Sequence, residues 1–315
     1  MKTLILFFIL TTLELPAKEE YEKTSDTKNN VQLIILGIAQ DAGYPQINCY
    51  KPHCLPAWKN HKLKKLATSL GLIDDSNKQK YLFEATPDIR QQLYNLHKIA
   101  DDSEYKFSGI FLTHAHMGHY TGLMHLGREA AGTDLIPVYA MPKMKEFLKN
   151  NGPWSQLIKL KNILIKDLKN QNEINLSTNL SIIPFLVPHR DEFSETVGYK
   201  IKGPNKTAMF IPDIDKWKKW DQDILKEIQS VDYALLDATF FENGEIPNRD
   251  MSEIPHPFVT ESMELFSALS DTDKRKVYFI HFNHTNPLLH SDEKTNNSVT
   301  DKGFNIASEG LKLNL

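Results

Sequence analysis

Gly109-Ile110-Phe111-Leu112-Thr113-His114-Ala115-His116-Met117-Gly118-His119 is the stretch on which the reading of this chain turns. Its first four residues form an apolar run of the kind that makes a buried strand. Three histidines follow at i, i+2 and i+5. Side chains two apart on an extended segment share a face, so His114 and His116 can grip one metal ion. His119 stands where a helix-like stretch begins and can face a second ion.

Outward from this segment, polar residues with metal-binding chemistry recur where apolar runs stop. His189 follows Ile183-Pro184-Phe185-Leu186-Val187-Pro188, and Asp213 follows Ala208-Met209-Phe210-Ile211-Pro212. His281 closes Val277-Tyr278-Phe279-Ile280, with His284 three residues later. Strand ends converge along one edge of a layered sheet, where α/β proteins place their sites. The resulting set of nitrogens and carboxylates suits zinc, with manganese or iron as alternatives.

Strands are expected at 31–38, 66–73, 80–84, 109–112, 137–140, 180–187, 195–201, 207–211, 233–236 and 277–281. Helical spacing covers 87–100, 120–131, 142–150, 221–229 and 259–270. Hairpins mixed with strand–helix units imply sheets covered by helices in one layered α/β domain from Val31 to Leu315. The 315 residues are 41% hydrophobic and 24% charged, enough for a substantial core. A net charge of −3 leaves no basic footprint for nucleic acid. The lysine-rich runs 59–65, 143–149 and 159–169 read as solvated helix faces.

The N-terminus reads as an export signal. Lys2 precedes the apolar Leu4-Ile5-Leu6-Phe7-Phe8-Ile9-Leu10, and Ala17 stands before the charged Lys18-Glu19-Glu20. That layout is a secretory signal over 1–17, too short for a membrane span. Residues 18–30 then form a polar, disordered leader. The expectation is a periplasmic or secreted protein that leaves the membrane once its signal is cut.

Together these residues resemble the metallo-β-lactamase superfamily, whose hallmark is H-x-H-x-D-H, then a lone His, a bridging Asp and a final His. His114, His116 and His119 match the first motif, His189 the lone histidine and Asp213 the bridging aspartate. His281 matches the closing ligand, with His284 the alternative. Gly43-Tyr44-Pro45-Gln46, 187–192, Thr196-Val197-Gly198-Tyr199 and Thr285-Asn286-Pro287 resemble the branch that contains the pyrroloquinoline-quinone biosynthesis protein B. Cyclic phosphodiesterases of phosphonate metabolism and tRNA 3′-end endonucleases are similar at greater distance. The resemblance implies an αββα sandwich binding one or two Zn²⁺, or Mn²⁺ or Fe²⁺.

One departure from the hallmark stands out: Gly118 occupies the place of its aspartate. Either the second site is impoverished, or an outside carboxylate fills it. Asp41, in the loop after the first strand, is the candidate, because in this fold that loop approaches the metals. Asp215 and Asp237 are candidate partners for ligand histidines, and Asp213 can relay a proton. If His281 is the ligand, His284 is placed to protonate a leaving group. Arg190 either receives an anionic substrate or forms a surface ion pair. Pro153-Trp154 and Phe240-Phe241 either wall a pocket or belong to the core.

Cys49 and Cys54 enclose Tyr50-Lys51-Pro52-His53 in a loop whose equivalent in the resembled branch often carries a Cys-rich zinc site. They either join His53 or His290 around a structural ion or form a disulfide. The export signal and the count of two thiols favour the disulfide. Three functional classes fit: a metal-dependent hydrolase of a phosphodiester, carboxylic ester or lactone in a small molecule; an iron-dependent redox enzyme acting on a small quinoid or aromatic acid; and a binding protein in which Gly118 marks lost catalysis. The retained histidines favour the first.

Overall fold

The computed structural model describes residues 30–100, 103–290 and 292–315. The expected signal (1–17) and all but the last residue of the expected leader (18–30) lie outside them. Among the described residues, no helix is long and apolar enough to cross a membrane.

Chain order gives β1 (Val31–Gly37), β2 (Ser69–Asp74), β3 (Gln79–Phe83), β4 (Lys106–Phe111), β5 (Ile136–Ala140) and β6 (Ile163–Asp167). Next come β7 (Ile174–Ser177), β8 (Leu180–Leu186), β9 (Val197–Lys202), β10 (Thr207–Ile211), β11 (Tyr233–Asp237), β12 (Val277–Ile280), β13 (Asn305–Ile306) and β14 (Lys312–Asn314). They form two seven-stranded sheets, in the orders β14-β1-β2-β3-β4-β5-β6 and β13-β12-β11-β10-β9-β8-β7. The halves repeat one plan. β1 to β3 pair antiparallel and β3 to β6 parallel, just as β7 to β10 pair antiparallel and β10 to β13 parallel. Parallel neighbours need crossovers, and these supply the helices on the outer faces. The architecture is the expected αββα sandwich.

β1 shows why both faces of a sheet must be apolar. Leu33 and Ile35 join the core shared by the two sheets, while Ile34 and Leu36 join the layer under the outer helices. Period-two alternation with both faces covered produces a continuous apolar run. At the centre of the sandwich Phe111 stacks on Tyr139 at 4.2 Å and on Phe83 at 5.0 Å, with Tyr199 of the opposite sheet edge-on at 5.8 Å. Phe111→Ala is therefore expected to cost about 3–5 kcal/mol. Urea unfolding should show this as a lowered midpoint at unchanged slope, and a loss below about 1 kcal/mol would mean that the stack relaxes around the gap.

Two local expectations are corrected. The helix expected over 120–131 is instead a short helix Met117–Tyr120 followed by a 3₁₀ run Thr121–Leu126. Gly122 pins it: its N–H donates to Ala85 O at 2.8 Å, and a Cβ there would lie 2.0 Å from Thr86 O. The lysine run 159–169 is not a helix face, because it contains β6, the edge strand of its sheet.

Candidate metal centre

β1, β4, β8, β10 and β12 all run in the same sense within their sheets, so their C-terminal ends share one edge of the sandwich. The chain after β1 supplies Asp41, after β4 His114, His116 and His119, after β8 His189, after β10 Asp213 and after β12 His281. The β4 loop is fixed by the opposite sheet. Tyr199 donates its hydroxyl to Leu112 O, Val197 N–H donates to Thr113 O at 3.2 Å, and Ala115 N–H donates to Ser194 Oγ at 2.8 Å. Asp41, Glu84 and His281 have φ of 46°, 74° and 71°. Left-handed backbone in such residues is sparsely populated and clusters where surrounding structure over-determines a site.

Two groups of three form around one carboxylate. Ligand atoms of His114, His116 and His189 lie within 4.8 Å of one another, as do those of Asp41, His119 and His281. Asp213 stands between them. Its Oδ2 is 2.9 Å from His119 Nε2, 3.4 Å from His281 Nε2 and 3.6 Å from His114 Nε2, and its Oδ1 is 3.8 Å from His189 Nε2. Nε2 of His119, His189 and His281 is buried and makes no hydrogen bond of acceptable geometry. Burial opposes charge on Asp213, yet His281, His119 and His189 hold its carboxyl well below the usual range. Burial likewise opposes a cationic His119, but Glu84 and Asp213 raise it well above an ordinary histidine. Burial and His119 instead push His114 well down. Buried nitrogens without partners, converging on a carboxylate kept ionised, fit a divalent cation.

The nitrogens facing away from the centre each lie within 3.4 Å of a hydroxyl or carboxylate oxygen that can orient the ring. Thr113 Oγ1 lies 2.9 Å from His114 Nδ1, Glu192 Oε2 3.0 Å from His116 Nε2, and Glu84 Oε1 3.4 Å from His119 Nδ1. Asp215 Oδ1 lies 3.4 Å from His189 Nδ1, and Thr239 Oγ1 lies 3.0 Å from His281 Nδ1. Thr239 donates that hydroxyl to Asp237 Oδ1 at 2.7 Å, so Asp237 acts on His281 through it. Arg190 makes an exposed pair with Glu192 at 3.8 Å.

Gly118 is explained by what occupies the space beside it. A Cβ there would lie 2.4 Å from Asp41 Cα and 2.8 Å from Asp41 Oδ1. The loop after β1 fills the volume a side chain would need, and Asp41 Oδ1 reaches to 3.9 Å from His119 Nε2.

Two residues escape the sequence reading. Glu84 ends a predicted strand and carries no motif of its own. His256, between Pro255 and Pro257, follows no apolar run. It is buried, its Nδ1 donates to Asp237 Oδ2 at 2.8 Å, and it lies 3.4 Å from Asp213 Oδ1. Burial opposes its proton, but Asp237 and Asp213 raise its pKa to about 9.

His284 and the cysteines require corrections. The structure groups His284 with Cys49, His53 and Cys54, all four within 4.8 Å, and not with the His/Asp centre, so it is not positioned as the proton donor expected there. Both thiols are free and buried, and no disulfide joins them. Cys49 Sγ is 3.4 Å from His53 Nε2, and burial with Cys49 alongside pushes the Cys54 thiol up to about 12. His290, the other histidine considered for this loop, instead packs edge-on to Tyr44 at 5.2 Å. Trp154 packs on Tyr120 and Phe147, while Phe240 and Phe241 join core clusters, so these aromatics are packing.

Residues 79–282 match the family model described as a β-lactamase superfamily domain. Over 90% of its length the chain is 25% identical to coenzyme PQQ synthesis protein B of Methylobacterium sp. (strain 4-46), covering all of that protein. The protein of the same name from Acinetobacter baumannii (strain ACICU) is also 25% identical over 90% of the chain. Among solved structures, zinc-bound PqqB from Methylobacterium extorquens superposes with a TM-score of 0.74 at 22% identity, covering 90% of this chain and 100% of that one. A diphosphatase of the PhnP family superposes at 0.63 and 23% identity, covering 91% of this chain and 97% of that one.

Proposed function

Because the chain belongs to the β-lactamase superfamily domain family, we propose that it is a metal-dependent hydrolase of an ester-type bond, phosphodiester or carboxylic ester/lactone, in a small molecule. The observation that carries this reading is the Asp213 carboxylate set between two groups of three ligands, with the inward Nε2 of His119, His189 and His281 buried and without a hydrogen bond. Zinc, held by His114, His116 and His189 on one side and by Asp41, His119 and His281 on the other, would lower the pKa of water from 15.7 toward about 7. Asp213 would hold and orient between the halves. Asp41, 3.9 Å from His119, supports reading Gly118 as compensated by an outside carboxylate. The cationic centre would favour an anionic substrate, and the signal-like N-terminus supports action in the periplasm or outside the cell.

His256 is the proton source in this reading. Asp237 holds its Nδ1 beside Asp213, where a protonated ring can give a proton to a departing oxygen. His256→Gln is expected to keep the full metal complement and lower kcat about 10²-fold, more for poor leaving groups than for activated ones. Equal losses on both kinds of substrate would remove His256 from that role.

Elemental analysis of chelator-free protein, paired with turnover of phosphodiester and lactone panels, tests the whole reading. Zinc with turnover supports it, and absence of metal after reconstitution sinks it. A second reading, iron-dependent redox chemistry on a small quinoid or aromatic acid, is favoured by the similarity to proteins named for coenzyme PQQ synthesis. Bound iron with oxygen uptake would select it.

A further inference from the structure

We infer that the excursion 42–66 docks the protein on an anionic lipid bilayer, through five exposed apolar side chains set among five lysines. The inference is independent of the chemistry proposed for the His/Asp centre. It returns to the membrane surface a chain that was expected to leave it once its signal is cut.

Composition sets this segment apart. From 42 to 73 the chain carries Lys51, Lys59, Lys62, Lys64 and Lys65 but no Asp, Glu or Arg, although its net charge is −3. Five of the fourteen exposed large hydrophobic side chains among the described residues also fall here: Ile47, Tyr50, Leu55, Trp58 and Leu63. Ile47 is 74% and Tyr50 68% exposed, so packing within the chain does not account for them. Concentration of this kind marks an interaction surface.

The fold gathers these side chains. The rings of Tyr50 and Trp58 are 6.2 Å apart, and Lys64 Nζ stands 5.8 Å from the centre of the Trp58 ring. Trp58 Nε1–H donates to Cys49 O at 2.7 Å, which holds the indole in place. Leu55 shares a face with Trp58 and Lys59, three and four residues on in the helix Leu55–Lys59. Leu63 lines a hollow of about 200 Å³ together with Pro52 and Pro56. Lys51, Lys59, Lys62 and Lys64 are exposed. Carboxylates meet the excursion at its root, where Glu309 accepts Leu66 N–H at 2.6 Å and Asp88 accepts Ala67 N–H at 2.8 Å. Ala39 bridges Ala67 and Tyr44 bridges Lys65, so the excursion leaves and rejoins the sandwich at the edge that carries the centre.

The chemistry of the patch selects its occupant. A second copy docked about a twofold axis would set the lysines of one chain against those of the other. Nucleic acid is gripped through arginine forks and stacked rings, yet the segment has no Arg and three of its five apolar side chains are aliphatic. An anionic bilayer takes both parts of the patch at once. Tyr50 and Trp58 suit the headgroup level and the aliphatic side chains the acyl boundary. The lysines reach lipid phosphates on stems that cover apolar surface.

Flotation with lipid vesicles tests this, using the full chain as the cell leaves it, with its N-terminus identified by mass spectrometry. Wild type is expected to bind phosphatidylcholine vesicles carrying about one third phosphatidylglycerol at least about 10-fold more tightly than pure phosphatidylcholine. About 0.5 M salt should release it. Lys59→Gln with Lys62→Gln should bind the anionic vesicles about 10–30-fold more weakly, with unchanged far-ultraviolet circular dichroism. Ile47→Ser with Tyr50→Ser should bind them at least about 10-fold more weakly. An apolar leader retained on the chain would raise wild type and variants alike. Equal binding of all three proteins, or equal binding of wild type to neutral and anionic vesicles, would therefore overturn the inference. Absence of vesicle binding would overturn it too, and retention on polyglutamate or on an oligonucleotide would then reassign the face to an acidic protein or a nucleic acid. Should either variant not fold, brominated lipid decides: it should quench the tryptophan emission of wild type and much less that of Trp58→Phe, whereas equal quenching would sink the assignment.

Discussion

Asp213→Ala is expected to abolish turnover, with kcat/KM falling at least about 10³-fold, and to leave the centre short of both its ions. The carboxylate faces both halves, at 2.9 Å from His119, 3.4 Å from His281, 3.6 Å from His114 and 3.8 Å from His189. Removing it deletes a ligand from each half and the negative charge that draws cations into a ring of imidazoles. Folding should survive, because the lost interactions are with the site and not with the packed core. The measurement is metal content beside activity: a variant that keeps two centre ions and a tenth of its turnover would refute the bridging assignment.

Gly118→Asp runs against intuition. Restoring the family's aspartate looks like repair, yet the new Cβ would lie 2.4 Å from a backbone atom of Asp41. A flexible side chain can turn aside, but a Cα takes its loop with it. Overpacking of this kind costs about 1–3 kcal/mol, and contact with backbone belongs at the upper end. The melting temperature should fall by about 3–5 °C, and Asp41 should leave His119. Asp41→Gly combined with Gly118→Asp should recover only part of the loss, because the nearest atom is the Cα that remains. If Gly118→Asp melts at the wild-type temperature and binds metal more tightly, Asp41 is not the substitute ligand.

The αββα sandwich was readable because both faces of each sheet are covered, which leaves unmistakable apolar runs at β1, β4, β8, β10 and β12. The residues that end those runs were therefore readable too. Strands with one face in water were not: β6 alternates buried Ile163 with exposed Leu164 and Lys166, and its lysines suggest a helix face. His256 was invisible for a related reason, since a loop between two prolines carries no period to place it. His284 misled because proximity in sequence to His281 suggested a shared site, whereas the turn after β12 sends it to the thiols. The disulfide expectation weighed compartment and cysteine count, and neither reports on two imidazoles arriving from elsewhere in the chain.

The order of the ligands along the chain has a temporal consequence. Asp41 is made early and His281 late, and at synthesis rates of about 5–20 residues per second the interval is on the order of tens of seconds. The second half of the centre cannot exist in a nascent chain until β12 has emerged, and Cys49 and Cys54 wait as long for His284. Completion of the centre thus marks the finished chain: a polypeptide interrupted before β12 would keep Asp41, His114, His116, His119, His189 and Asp213 but lack His281, and its two thiols would lack His284.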